Sequence, residues 1–276
     1  MVRVPEQSGR HRLDVGTAPE PQVDLAARHR VEELLAADDL AMVFQPVVDL
    51  ATGATVGHEA LARFADGRPP NVWFADADAG GLGVELELLA VATALRVLPP
   101  DVPGYLGVNA SPATLASPRL RALLLGTGGR RLLLEITETH ALAELELTRL
   151  GMEQMRQAGV LVAIDELGSA GASLAQLVEL GPDVVKIDRS LVSHVDDDPT
   201  SHALAAAYAR LATGMGWTAM AVGIERHEEL AACHAMGVTY GQGYLLGRPA
   251  PLADPEHSQA AAWIALSEEI WQASQG

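Results

Sequence analysis

The sequence contains a single cysteine, Cys233, and a single lysine, Lys186. One cysteine excludes an internal disulfide and is typical of a protein from a reducing cytosol. Arginine supplies the rest of the Lys and Arg charge, and it cannot give up its proton in a protein, whereas the pKa of a lysine can be tuned. Lys186 therefore either marks a site that needs a compact, titratable ammonium or is a chance survivor of a drift toward arginine.

Segments for export or membrane insertion are also missing. The N-terminus is interrupted by proline and by charged residues and lacks the apolar core of a signal peptide. The most apolar helical run, residues 88–98, is too short to cross a bilayer and contains Arg96. A formal net charge of −17 argues against general affinity for nucleic acid polymers or anionic membranes. We therefore expect a soluble, cytoplasmic protein with neither as a partner.

Three common catalytic patterns are absent. No Cys or His pair has the spacing of a zinc site, because His58-Glu59 lacks the second histidine of H-E-x-x-H. No serine lies in a G-x-S-x-G turn. The glycines at 80, 81 and 83 do not follow a strand and do not complete a dinucleotide-binding fingerprint.

The organisation of the chain predicts one large domain over residues 23–276, preceded by a flexible leader over residues 1–22. Eight segments have the apolar pattern of strands: 42–50, 56–63, 105–109, 131–138, 161–164, 184–188, 218–225 and 240–246. Helical patterns cover 23–35, 82–98, a segment from 111, 141–158, a short segment around 174–177, 201–215, a segment through 233, and the C-terminus.

The first two predicted strands are joined by a turn that is far too short for a parallel crossover, so we expect an antiparallel hairpin. Beyond it, strands and helices alternate. Eight strands over roughly 250 residues are typical of a TIM-like (β/α)8 barrel, here with an antiparallel first strand. A doubly wound open sheet is the alternative, although such sheets usually have fewer strands.

Polar side chains follow the apolar core of nearly every predicted strand. In a barrel they would converge at the C-terminal face, where active sites lie. The set comprises Glu59, Asn109, Glu135, Asp165 with Glu166, Lys186 with Asp188, Glu225 and Gln242. Carboxylate and amide oxygens suit Mg²⁺ or Mn²⁺. Oxygen ligands around one lysine indicate metal-assisted hydrolysis of a phosphate ester; a barrel acting on an unrelated substrate remains open.

The chain resembles the EAL domain of bacterial cyclic di-GMP phosphodiesterases from about residue 23 to its C-terminus. The triplet that gives the family its name is Glu59-Ala60-Leu61, followed by Arg63 and preceded by the Gln45-Pro46 strand. Further matching motifs are Val108-Asn109-Ala110-Ser111, Leu134-Glu135-Ile136-Thr137-Glu138, Val185-Lys186-Ile187-Asp188-Arg189-Ser190, Gly223-Ile224-Glu225 and Gln242-Gly243-Tyr244 leading to Pro249.

The resemblance implies a barrel with an antiparallel first strand and a reaction that opens cyclic di-GMP to linear pGpG. It implies one Mg²⁺ or Mn²⁺ ion held by Glu59, Asn109, Glu135 and Asp165. Arg63 would contact a ligand phosphate, and Lys186 would polarise the attacking water. Gln45, Pro46, Asp188, Glu225 and Gln242 would line the site, and Glu138 would anchor the loop after Asp165. The family uses that loop to complete the site and to form a homodimer.

Two departures from the family pattern both affect a second metal ion. Where the family usually has two adjacent aspartates, this chain has Asp165-Glu166, and Val222 stands where the family has a glutamate ligand. A longer acid displaces its oxygen from a tight octahedral shell, and valine removes a ligand outright. Two-metal hydrolysis needs both ions to clamp the attacking and leaving oxygens.

The sequence thus leaves two hypotheses. In the first, the domain binds cyclic di-GMP or a regulatory protein partner as a sensor, with weak or lost hydrolysis. In the second, it is an active phosphodiesterase in which Glu166 or water replaces the missing ligands and Lys186 and Asp188 remain catalytic. The altered loop after Asp165 weakens the expectation of a family-type homodimer.

Overall fold

The computed structural model describes residues 23–99, 102–125, 131–169 and 174–252. The predicted leader, the predicted C-terminal helix and the Ala170-Gly171 part of the loop after Asp165 lie outside the described residues.

The strands close into one barrel in chain order, β1 to β8. Strand β1 pairs antiparallel with both β2 and β8, and the other pairs are parallel. The strands are β1 (Leu40–Asp49), β2 (Thr55–Phe64), β3 (Tyr105–Asn109), β4 (Arg131–Thr137), β5 (Leu161–Leu167), β6 (Val184–Ile187), β7 (Thr218–Val222) and β8 (Tyr240–Gln242). The predicted barrel and its antiparallel first strand are confirmed.

Helices follow most of the strands. They are α1 (Leu25–Ala37), α2 (Pro70–Ala79), α3 (Gly83–Val97), α4 (Pro112–Leu115), α5 (Pro118–Leu124), α6 (Glu138–Ala143), α7 (Leu145–Gln157), α8 (Leu174–Leu180), α9 (Arg189–Val192), α10 (Pro199–Met215) and α11 (His227–Ala235). No helix among the described residues is long and apolar enough to cross a membrane.

Several elements differ from the sequence prediction, and three of them have a clear local feature. Helix α2 was not predicted because two prolines precede its core, yet proline fits the first helical turn, where its missing N–H costs nothing. The predicted helix 141–158 is interrupted at Glu144, whose backbone is not helical (φ −120°, ψ 47°). Strand β8 ends at Gln242, and the next residue, Gly243, lies against the Ile224 backbone, where a Cβ would be 2.1 Å from its carbonyl oxygen.

The core has two parts. Outward-facing strand residues such as Leu106, Leu134 and Ile164 pack against the helices. Inside the barrel, a smaller apolar cluster of Val47, Leu133, Ala163, Val184 and Met220 fills the middle. Polar side chains occupy the interior above this cluster, at the C-terminal ends of the parallel strands, which is the functional end of such barrels.

Candidate divalent-metal and ligand site

Three carboxylates and one ammonium meet inside the top of the barrel. Glu59, Glu135 and Asp165 come from β2, β4 and β5, and each offers an oxygen within 4.8 Å of the others. Nζ of Lys186 on β6 lies 2.6 Å from Asp165 Oδ2 and 3.3 Å from Glu59 Oε2, and it also bonds to Glu135 Oε2. Lys186 and Glu135 are each 1% exposed. The lone lysine of the chain is therefore the centre of this cluster.

Amide side chains form a second layer around Glu59. Gln242 Nε2 donates to Glu59 Oε2 at 2.8 Å and to Gln45 Oε1 at 3.0 Å. Gln45 Nε2 donates in turn to the carbonyl of Gly247 at 3.0 Å, which ties the turn after β8 to the site. Asn109 Nδ2 donates to Glu59 Oε1 at 3.2 Å. The predicted ring of polar strand ends is thus brought together from β1, β2, β3, β4, β5, β6 and β8.

The cluster has an unbalanced charge. Burial and the Glu59 carboxylate raise the pKa of Glu135 to about 8, although Lys186 opposes them. Burial also acts to raise the pKa of Glu59, but Lys186, Gln242 and Asn109 together hold it below its usual value. Burial acts to lower the pKa of Lys186, yet Asp165, Glu135 and Glu59 outweigh it and raise that pKa well above its usual value. One ammonium therefore does not neutralise three acids.

These residues fit a divalent cation. Glu135 Oε1 is buried and has no hydrogen-bond partner among the described residues, which is costly unless an ion or water meets it. Two further positive charges would balance the three carboxylates and the ammonium. The ligand atoms are hard oxygens of the kind preferred by Mg²⁺ and Mn²⁺. Glu59, Glu135 and Asp165 would hold the ion, and Asn109 would join them through its amide oxygen.

The Asp165-Glu166 pair lies at an irregularity in β5. The register with β6 shifts between Ile164 and Leu167, which is the signature of a β-bulge. Glu166 has φ +59°, an unusual conformation for a residue with a side chain. Its side chain is exposed, whereas that of Asp165 is 16% exposed and contacts Lys186. Partial burial, then Asp165 and Asp188, raise the pKa of Glu166. The pair is therefore split: one acid in the cluster, one outside.

Val222 ends β7 and is paired with Gln242 of β8. It is partly buried. Its side chain offers no oxygen, although it lies next to Gln242, a polar residue of the site. Glu59, Glu135 and Asp165 form the one metal-competent group of acids and histidines found among the described residues. Neither Glu166 nor Val222 extends it.

Three other predicted site residues lie at the rim. Asp188 caps α9 and accepts from the Ser190 N–H at 2.9 Å. Glu225 is exposed and pairs with Arg189 at 3.0 Å. Arg63 is exposed and donates to the Ala62 carbonyl at 2.7 Å. A cavity of about 320 Å³ opens beside Arg63 and Asn109, with an otherwise mainly apolar lining that includes Phe74.

Glu138 and Pro46 support neighbouring chain segments. Glu138 is 1% exposed at the start of α6, and its Oε2 accepts from the Gly168 N–H at 3.0 Å, directly after β5. This contact joins the start of α6 to the backbone that follows β5, and the role of Glu138 as a loop anchor stays a prediction. Pro46 packs against Gly247, where a Cβ would lie 2.3 Å from Pro46 Cγ.

Sequence reasoning overlooked Gly107. A Cβ at this position in β3 would lie 2.4 Å from Glu135 Oε1, so the missing side chain provides the space for the Glu135 carboxylate. The available signal was a glycine within a strand, which often marks a close approach of another group.

Comparison with known proteins identifies the family. Residues 28–249 match the EAL domain. The chain belongs to the EAL domain family. It is 31% identical over 230 residues to the probable cyclic di-GMP phosphodiesterase PdeN of Escherichia coli strain K12, which covers 77% of this chain. The chain spans 44% of the length of PdeN and about a third of the length of several other curated relatives.

Solved EAL structures have the same fold. A cyclic di-GMP complex of the PaMucR phosphodiesterase has a TM-score of 0.73 and 27% identity, covering 83% of this chain and 98% of that one. The manganese and cyclic di-GMP complex of Klebsiella pneumoniae BlrP1 has a TM-score of 0.70 and 29% identity, covering 77% of this chain and 56% of that one.

Proposed function

We propose that this domain binds cyclic di-GMP at a site holding one divalent ion and acts as a sensor with weak or lost phosphodiesterase activity. The observation that carries the proposal is the division of the Asp165-Glu166 pair. Glu59, Glu135 and Asp165 converge on Lys186, whereas the bulge leaves Glu166 exposed. The EAL relatives, which include complexes with cyclic di-GMP, support the choice of ligand.

We expect different residues of this chain to contact different parts of the ligand and the ion. A divalent ion, when bound, would neutralise phosphate charge and acidify water. Arg63 and the cavity beside it lie where a phosphate and an apolar ring face could be held. Gln242 orients Glu59 through a direct hydrogen bond, and Gln45 accepts a second hydrogen bond from the same Gln242 amide. Lys186 holds the metal-site carboxylates together and would orient a water at its ammonium.

Calorimetry tests ligand binding. Cyclic di-GMP titrated into the protein with Mn²⁺ should give saturable heat, and Arg63→Ala should weaken the affinity. An exposed arginine away from the site, Arg149, provides the matched control as Arg149→Ala. No binding of the wild type at millimolar ligand would reject ligand sensing.

Chromatography of pGpG formation tests the loss of hydrolysis. The wild type with Mn²⁺ should form pGpG slowly or not at all, and Glu166→Asp combined with Val222→Glu should raise the rate by at least about tenfold if the second site is what is missing. A wild-type rate equal to that of the double variant and well above that of Lys186→Ala would contradict the sensor proposal.

The second candidate is an active phosphodiesterase that converts cyclic di-GMP to pGpG. The retention of Lys186 among these acids, in a chain with no other lysine, favours it. An active enzyme should require Mg²⁺ or Mn²⁺ and be inhibited by Ca²⁺, whose larger, more flexible shell places ligands less tightly. Equal activity in Ca²⁺ would contradict this candidate. A homodimer or a regulatory partner remains a prediction for either.

A further inference from the structure

A second cavity opens at the end of the barrel opposite the carboxylate cluster. Its volume is about 400 Å³, within the range of roughly 300–1,000 Å³ for small-ligand sites. The first residues of five strands contribute to its wall: Tyr105, Leu161, Val184, Thr218 and Tyr240. No member of the carboxylate cluster is among the described residues that line it. This cavity is therefore separate from the proposed cyclic di-GMP site.

Aromatic side chains are concentrated in this wall. Tyr105, Trp217 and Tyr240 all line the cavity, and each is only partly buried. Aromatic residues make up only 4% of the chain, so three in one cavity are a local enrichment. The hydroxyl of Tyr105 is buried without a hydrogen-bond partner among the described residues. Ring faces carry negative charge density and attract cations.

The charged groups of the wall also favour a cation. Asp183 is the one charged residue among the described residues that line the cavity. One of its oxygens accepts from the Val162 N–H at 2.8 Å, and a carboxylate can accept further hydrogen bonds. Arg156 lies beside this wall, but its guanidinium is engaged with the carbonyls of Leu180 and Gly181. The net charge of −17 also favours an approaching cation.

We propose that this cavity binds a small organic cation with an apolar body. Its ammonium group pairs with the Asp183 carboxylate and contacts the faces of the aromatic rings. Its apolar body packs against Leu161 and Val184. A neutral or anionic molecule of the same shape gains the apolar contacts but loses both charge interactions.

Calorimetry with three probes of similar shape tests the proposal on the full chain: 2-phenylethylammonium, 2-phenylethanol and phenylacetate. The cation should bind saturably at millimolar concentration or below, and the other two should bind at least about tenfold more weakly. Asp183→Asn should reduce the affinity for the cation by about tenfold, because it retains an acceptor for Val162 but removes the charge. The matched control Asp39→Asn, an exposed acid elsewhere, should leave the affinity unchanged.

The proposal would be overturned by the absence of saturation by the cation at tens of millimolar, by equal binding of all three probes, or by equal effects of the two Asp→Asn variants. If Asp183→Asn fails to fold, the relative affinities of the three probes for the wild type still test the proposal. Competition between 2-phenylethylammonium and cyclic di-GMP would place the cation at the other end of the barrel and would also overturn it. Failure here leaves the proposed function untouched, since no residue is shared.

Discussion

Lys186 is a buried charge whose cost depends on its carboxylate partners. Its ammonium is 1% exposed, and a buried charge is tolerated only when it is paired and hydrogen-bonded. Three carboxylates supply that pairing. When all three are ionised they carry more negative charge than one lysine can balance, so a bound cation would stabilise the cluster. Arginine has a larger, planar head group and would not replace this compact charge.

Replacing Lys186 with methionine should destabilise the metal-free protein by about 3–5 kcal/mol, because it leaves buried carboxylates without a counter-charge. Mn²⁺ should recover more stability in Lys186→Met than in the wild type. Denaturant unfolding with and without Mn²⁺ measures both effects. Arg189→Met, which removes an exposed partner of Glu225, should cost less than about 1 kcal/mol. Equal losses in the two variants would contradict the prediction.

Glu166 is held in a left-handed conformation, φ +59°, that costs a residue with a Cβ about 1–2 kcal/mol. Glu166→Gly should therefore increase the free energy of unfolding by about 1 kcal/mol. Glu153→Gly provides the contrast, since Glu153 is exposed within α7 and glycine costs about 1 kcal/mol in a helix. Urea titration of both variants checks the prediction, and a loss in each would show that Glu166 is not strained.

At the scale of elements, β3 and β5 shape the site through backbone features. Gly107 in β3 leaves the space that Glu135 occupies. The bulge in β5 separates Asp165 from Glu166, and Glu138 of α6 holds the backbone at Gly168 just after it.

Gly107→Ala should lower the affinity for Mn²⁺ by at least about tenfold, because the added Cβ would lie 2.4 Å from Glu135 Oε1 and displace that carboxylate. Calorimetric titration of Mn²⁺ measures the change. Gly214→Ala is the control: a Cβ there meets nothing within 4 Å, and alanine in a helix adds up to about 1 kcal/mol of stability. Unchanged Mn²⁺ affinity in Gly107→Ala would show that Glu135 does not bind the ion.

At the scale of the whole molecule, the closed barrel allows β1 to pair with β8 and so joins residues distant in the chain. The hydrogen bonds from Gln242 to Gln45 and Glu59 cross this closure. An ion bound at the cluster would therefore link β2, β3, β4 and β5 and stabilise the native barrel as a unit.

Cys233 can report this global stability. The thiol is buried, and burial raises its pKa to about 12, so the folded protein should react very slowly with Ellman's reagent at pH 8. Labelling should become fast in denaturant, and saturating Mn²⁺ should slow it further under native conditions because the ion binds only the folded state. Rapid labelling of the native protein would contradict the burial of Cys233.

Most residues of the site were predictable because a polar side chain follows the apolar residues of a strand. Asn109, Glu135, Asp165 and Lys186 carry that signal, and the barrel brings them together with Glu59, which lies in the middle of β2. Helix α2 and the break at Glu144 were not predictable from periodicity, since proline at a helix start resembles a loop and an amphipathic pattern continues through a short interruption.

The sequence by itself determined the fold class and the antiparallel first strand, because hydrophobic periodicity and short connections allow few topologies. The family followed from the resemblance of motifs such as Glu59-Ala60-Leu61. The tertiary structure alone decided which polar strand ends touch. It placed Lys186 among three carboxylates, confined Asp188 and Glu225 to the rim, and separated Asp165 from Glu166 at a bulge. The reason is physical: register, bulges and the space left by Gly107 arise from packing between strands, and periodicity along one strand does not encode them.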